Sequence, residues 1–168
     1  QIILGKLLEE QLSSTLKVNG KIDVPPQNLV SVSIPLGGYL KSTKLLPGMP
    51  IKKGEIIAIL EDQQYIQLQQ DYLLTKSRLT FAEKEYERQK ELNQTKASSD
   101  KVYQSAESEY RILQINLNAL TEKLKLININ PATISLSGIS RSVPIYSPIN
   151  GFVSKVNVNI GKYVNPSD

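Results

Sequence analysis

The 168-residue sequence contains no cysteine and no histidine. Those absences remove disulfides, zinc sites of the Cys/His kind, cysteine nucleophiles and every acid/base scheme built on imidazole. A copper site built from sulfur needs methionine, and Met49 is the only one. Carboxylate or lysine chemistry stays open, yet Asp23, Glu55, Glu61 and Asp62 show no pairing pattern, and no Gly-rich phosphate loop precedes a helical stretch. Catalysis is therefore not expected, and no cofactor is implied. No run approaches the ~20 consecutive apolar residues of a membrane-spanning helix. With 40% apolar and 21% charged residues, the composition fits neither a disordered tail nor a membrane-embedded chain. The net charge of +4 is mild and by itself names no partner.

A further absence is positional. All nine Gly and all nine Pro lie at or before Gly54 or at or after Pro131, so the stretch from Glu55 to Asn130 contains neither. Proline lacks the amide hydrogen a helix interior needs, and glycine costs about 1 kcal/mol there against alanine. The chain thus reads as a β-rich end, a long helical middle and a second β-rich end.

Two heptad-spaced stripes run through the middle: Tyr65, Leu68, Tyr72, Thr75, Leu79, Ala82, Tyr86, Gln89, and Tyr103, Ala106, Tyr110, Leu113, Leu117, Leu120, Leu124, Ile127. So narrow a stripe is the seam of a coiled coil. Between them, Asn93–Asp100 is short, polar and rich in helix-capping residues, which predicts two antiparallel helices. About 30 residues each, at 1.5 Å per residue, give a rod roughly 45 Å long. From Asp62 to Asn128 there are ten basic and ten acidic residues, so the rod is neutral and the +4 resides in the ends.

The ends resemble each other. Pro35, Gly38, Gly48 and Ile51 map onto Pro148, Gly151, Gly161 and Val164 at one constant offset of 113, and Tyr39-Leu40 repeats as Phe152-Val153. Such self-similarity marks an internal repeat. Each glycine is expected to serve a turn with positive φ, while Ile51, Ile57 and Ile59, or Val153, Val156 and Val158, face a shared core. A half of about 30 residues cannot bury enough apolar area alone, so the halves are expected to pack together.

This organisation resembles the membrane fusion protein (HlyD-like) family of periplasmic adaptors. The resemblance runs from about Val18 to Asp168 and rests on Gly37–Leu40, Pro47–Glu55 and Tyr146–Gly151. Leu124–Pro131 is similar to the end of the hairpin in heavy-metal-efflux (CusB/CzcB-like) members. It implies an α+β protein: a long antiparallel α-helical coiled-coil hairpin inserted into a split lipoyl/biotinyl-like β-sandwich, with part of an adjoining β-barrel domain. The implied boundaries are 1–28 for a partial β-barrel strand and connection, 29–61 and 141–168 for the two lipoyl-like halves, 62–128 for the hairpin, and 129–140 for a connecting segment. Ile2, Ile3, Leu4, Leu7 and Leu8, within Gln1–Lys17, are expected to belong to the barrel domain, whose remainder would follow Asp168.

In this family, adaptors that dock on TolC-like outer-membrane channels carry Arg, Leu four residues on, and Ser seven further; Arg88, Leu92 and Ser99 fit that spacing at the predicted tip. Leu92 lies off the seam and shares a helix face with Arg88, so it gains from a partner helix that covers it. The alternative, also open, is that Leu92 curls over the last turn, Arg88 pairs with Glu91 or Glu85, and Ser99 caps the second helix. The implied function is an adaptor in a tripartite efflux pump of the resistance-nodulation-division type. It would link an inner-membrane transporter to the channel, self-assemble as a hexamer, and sit in the periplasm of a Gram-negative bacterium. Its attachment to the inner membrane would use parts outside this sequence. An adaptor of an ABC-type or type I secretion exporter is the near alternative. A nucleic-acid-binding coiled-coil module is the distant one; Lys41, Lys44, Lys52, Lys53 and Lys155 could form its basic patch, but the neutral rod argues against nucleic acid. A lipoyl carrier role is disfavoured, because Ile59–Asp62 runs straight into the helix with no lysine on a tight turn.

Overall fold

The computed structural model describes residues 5, 11, 13–19, 24–135 and 138–166. The chain divides into two units, Gln1–Ser31 and Val32–Asp168. Among the described residues of the first, the one regular element is a 3-10 turn at Pro26–Asn28. The expected strand residues Ile2, Ile3, Leu4, Leu7 and Leu8 lie outside the described residues.

The second unit is mixed α/β. Helix α1 spans Gln63–Gln94 and α2 spans Asp100–Leu126, packed along each other. Asp62 caps α1, its carboxylate accepting from the Gln64 amide, and Ser99 caps α2, its hydroxyl accepting from the Val102 amide. Every residue of both heptad stripes is buried or half-buried, as a narrow interhelical seam requires. Both helices end on a left-handed residue, Lys96 at φ 59° and Asn128 at φ 58°. The Ala97 amide then bonds Leu92 O and the Ile129 amide bonds Leu124 O, closing each helix with a Schellman motif.

Six strands flank the helices: β1 Gly38–Thr43, β2 Pro50–Ile51, β3 Ile56–Glu61, β4 Ser142–Tyr146, β5 Gly151–Phe152 and β6 Tyr163–Val164. They form a four-stranded sheet in the order β4-β3-β1-β6 and a two-stranded sheet β2-β5. Each sheet mixes strands from both ends of the sequence, and the pairings obey the 113-residue offset. Gly38 pairs with Val164 and Gly151 with Ile51; Tyr39 pairs with Tyr163 and Phe152 with Pro50. Backbone hydrogen bonds repeat in the same way. The Gly48 amide donates to Val153 O and the Gly161 amide to Leu40 O; the Val153 amide donates to Met49 O and the Leu40 amide to Lys162 O. Residue i of one half meets residue j of the other, and j's counterpart meets i's, which is the signature of a two-fold relation between the halves.

The core joins the sheet to the base of the helix pair. Leu40, Leu60, Val143 and Val164 come from four strands and Tyr65, Tyr72, Leu124 and Ile127 from the helices and the α2 cap. Two expectations are corrected. Strict alternation put Ile57 and Ile59 inward, but β3 buries Ile57 and Leu60, with Ile59 only half-covered. Bulges are the reason: Ile57 has no opposite residue in β4, and Lys41 has none in β3, so the alternation slips. The second concerns glycine. Gly48 and Gly161 share φ +85°, but Gly38 and Gly151 open strands and lack positive φ. Gly38 instead makes room for the Tyr65 side chain, since a Cβ at Gly38 would lie only 2.9 Å from the Tyr65 hydroxyl oxygen. Pro35 and Pro148 lie in the irregular approaches to β1 and β5.

That hydroxyl donates to Gly37 O at 3.0 Å. Burial, followed by the charges of Asp62 and Tyr163, pushes the Tyr65 hydroxyl up to about 12. The folded state therefore holds a proton that the unfolded chain releases near 10, so stability is full below pH 10 and falls as pH rises from 10 towards 12. Tyr103, raised by its hydrogen bond with Tyr86, adds a slope of the same sign. Urea midpoints measured at pH 9 and pH 11 should differ accordingly, and Tyr65→Phe should flatten the difference.

Candidate functional site

The turn Thr95–Ser99 joins the helices at the tip, and its geometry is fixed by short polar contacts. Asn93 Nδ2 donates to Asp100 Oδ1 at 2.8 Å, and Ser98 Oγ donates to Gln89 Oε1 at 2.8 Å. Thr95 Oγ1 donates to Leu92 O at 3.0 Å. These bonds, with the Schellman closure, tie the last two turns of α1 to the first turn of α2 and make the tip a shaped surface.

Arg88 and Leu92 lie four residues apart near the end of α1, on one helix face. Leu92 is 37% exposed, a large apolar side chain left partly open at the tip. The Arg88 guanidinium forks onto Glu85 Oε2 through Nε and Nη2 and stays largely solvated. Hydrogen bonds from Gln89 and then Arg88 hold the Glu85 carboxyl below the usual carboxylate range. Ser99 stands across the turn and spends its hydroxyl on capping α2. The structure thus brings Arg88 and Leu92 onto one face and gives Arg88 and Ser99 the local partners that the alternative reading named. An exposed pair such as Arg88–Glu85 contributes little, so the guanidinium can be drawn to another acceptor at little cost.

Below the tip, Tyr86 stacks on Tyr103 (centroids 5.8 Å apart) and on Tyr110 (5.4 Å apart). At the other end of the rod, Gln69 is 2% exposed and fully bonded. Its Nε2 donates to Tyr65 O at 2.6 Å and to Ser140 O at 2.7 Å, and its Oε1 accepts from the Ser140 amide at 3.1 Å. This clasp between helix and returning chain was not visible to heptad counting, because Gln69 stands one position off the seam; a glutamine beside a tyrosine-rich stripe was its sole trace. Nearby, Glu61 in β3 accepts from Lys41 of β1 and from Ser142 of β4, with Arg141 Nε at 3.5 Å. Those contacts, Lys41 first, hold its carboxyl below the usual range.

Among the described residues, no helix is long and apolar enough to cross a membrane. No family model matches the chain. It is 25% identical over 129 residues to the cation efflux system protein CzcB of Alcaligenes sp. strain CT14, an alignment covering 77% of this chain and 24% of that protein. It is 24% identical, with the same coverage, to the cobalt-zinc-cadmium resistance protein CzcB of Cupriavidus metallidurans. The chain therefore spans about a quarter of the length of these relatives. Among solved structures, ZneB from Cupriavidus metallidurans superposes with a TM-score of 0.58 at 26% identity, over 83% of this chain and 57% of that one. Similarity in sequence and likeness in structure coincide on strand-rich ends that bracket two long helices: the chain is similar to CzcB proteins of cation efflux and metal resistance and shares the fold of ZneB.

Proposed function

We propose that this chain forms the split lipoyl-like domain and the antiparallel coiled-coil hairpin of a periplasmic adaptor. It serves a tripartite pump that exports metal cations from a Gram-negative bacterium. The observation that carries this reading is the exchange of backbone hydrogen bonds between halves of one repeat, 113 residues apart, with both helices between them. A chain so arranged presents a stiff rod on a closed base and performs no chemistry. It transmits position: the base packs beside copies of itself, six in the complete pump, near the inner-membrane transporter, and the rod tip meets a TolC-like channel. The names of the relatives support cations as cargo, so no resident metal site is assigned to this chain.

In this reading Arg88, Leu92 and Ser99 form the channel contact, and Pro35, Gly38, Gly48, Pro148, Gly151 and Gly161 shape the lipoyl-like base. A carboxylate placed where an apolar side chain is covered by a partner is left desolvated and unpaired, which costs ~2 kcal/mol or more. Leu92→Asp is thus expected to lower cross-linking to the outer-membrane channel at least about tenfold, with helicity by circular dichroism unchanged. Unchanged cross-linking would remove Leu92 from the interface.

A further inference from the structure

The two helices share one seam, but its chemistry changes along the rod. The apolar cluster of the base reaches up to Leu73 in α1 and Leu117 in α2. Leu79, half-buried, and Leu113, buried, are the last large aliphatic residues of the seam before the tip. Beyond them the seam holds Ala82, Tyr86 and Gln89 in α1 and Tyr103, Ala106 and Tyr110 in α2. The tip is instead held by the stacking of Tyr86 on Tyr103 and Tyr110, by the exposed Asn93–Asp100 bond and by the bond from Ser98 to Gln89.

Where the chemistry changes, the rod is also underfilled. Ala82 and Ala106 place methyl groups where most of the seam carries Leu or Tyr. A cavity of about 350 Å³ opens there between the helices, bordered by both alanines and by Leu113. Phe81 stands at its border and is 73% exposed, so it does not fill the gap. Close-packed interiors leave few gaps larger than a water molecule, and the helices are therefore weakly coupled at this level. With less apolar surface covered beyond it, and with polar bonds that solvent can replace, the tip has a lower free energy of opening than the base.

We propose that residues 83–110, the rod beyond Ala82 and Leu113, form a separate cooperative unit that opens and recloses while the base stays folded. The closed unit sets Arg88 and Leu92 on one helix face. The fraction of time it is closed therefore scales the affinity of any partner that grips those residues. This inference rests on the seam and the cavity and not on the proposed role in export.

Amide hydrogen exchange of the full chain tests it. Amides of 83–93 and 103–109 should exchange at least about a hundredfold faster than those of 68–73 and 117–126, with a step near Ala82 and Leu113. In low urea the tip amides should show the shallower dependence, because their opening exposes less surface; that measurement needs no variant. Leu117→Ala, with its helicity verified by circular dichroism, should speed exchange in the base at least about tenfold and leave the tip unchanged, since the tip opens with Leu117 still in place. A common rate for tip and base would overturn the proposal. So would an even gradient along the rod, or equal acceleration of both parts by Leu117→Ala.

Discussion

Replacing Leu60 by alanine is expected to cost about 3–4 kcal/mol of stability, read as a lower urea midpoint with an unchanged slope. Leu60 is 0% exposed and sits in the middle of the four-stranded sheet. It pairs with Leu40 of β1 on one side and Val143 of β4 on the other, so a single side chain bridges strands separated in sequence by the entire helix pair. Truncation removes the transfer free energy of the lost carbons and leaves a cavity. The cavity collapses poorly, because Leu40 and Val143 are held by ladders and Tyr65 by its bond to Gly37 O. Ile56→Ala, four residues away in the same strand but 48% exposed, is the control and should stay within about 1 kcal/mol. Similar losses in the two variants would mean that β3 does not join the halves into one cooperative core.

Much of this architecture is legible in the residues themselves, for physical reasons that differ by region. The helices announce themselves because both Gly and Pro are excluded over a long stretch and because a period of 3.5 leaves every Tyr, Leu and Ala of the seam covered. The repeat is legible because left-handed turns at Gly48 and Gly161 tolerate few other residues, so the two halves keep their glycines in step. Strand detail is less legible. The bulges at Lys41 and Ile57 shift the inward face from Ile59 to Leu60, and a bulge leaves no mark in the apolar pattern of a strand as rich as Ile56–Glu61. The left-handed Lys96 and Asn128 were equally hidden, since no glycine marks either C-terminus. At the tip one of the two readings named the partners, Glu91 or Glu85 for Arg88 and the α2 cap for Ser99; what spacing could not determine was the rotamer that takes Arg88 to Glu85.

The clasp at Gln69 was the least legible feature and carries the sharpest prediction. Gln69→Glu is expected to destabilise the fold by about 2–4 kcal/mol at pH 7, and the loss should shrink on acidification. In the native protein the amide nitrogen of Gln69 faces two carbonyl oxygens, those of Tyr65 and Ser140. A carboxylate there turns two donated hydrogen bonds into two contacts between acceptors in a buried site. Burial and those oxygens favour the protonated acid, which can still donate to one carbonyl and accept from the Ser140 amide. The introduced carboxyl thus has a folded value raised above its unfolded value of about 4.3, so the variant is least impaired below that pH and loses stability as pH rises through it. Glu61 works in the opposite direction. Its carboxyl, lowered by Lys41, Ser142 and Arg141, contributes stability above its ordinary value of 4.5 that is lost as pH falls through its lowered folded value. The native protein should therefore weaken in acid while the gap between native and variant closes. Gln69→Leu separates charge from packing: it loses the same bonds without adding a titrating group, so its deficit should not change with pH. A constant gap for Gln69→Glu between pH 4 and pH 7 would show that the site is open to water, and the clasp would then not fix the base of α1 to the returning chain.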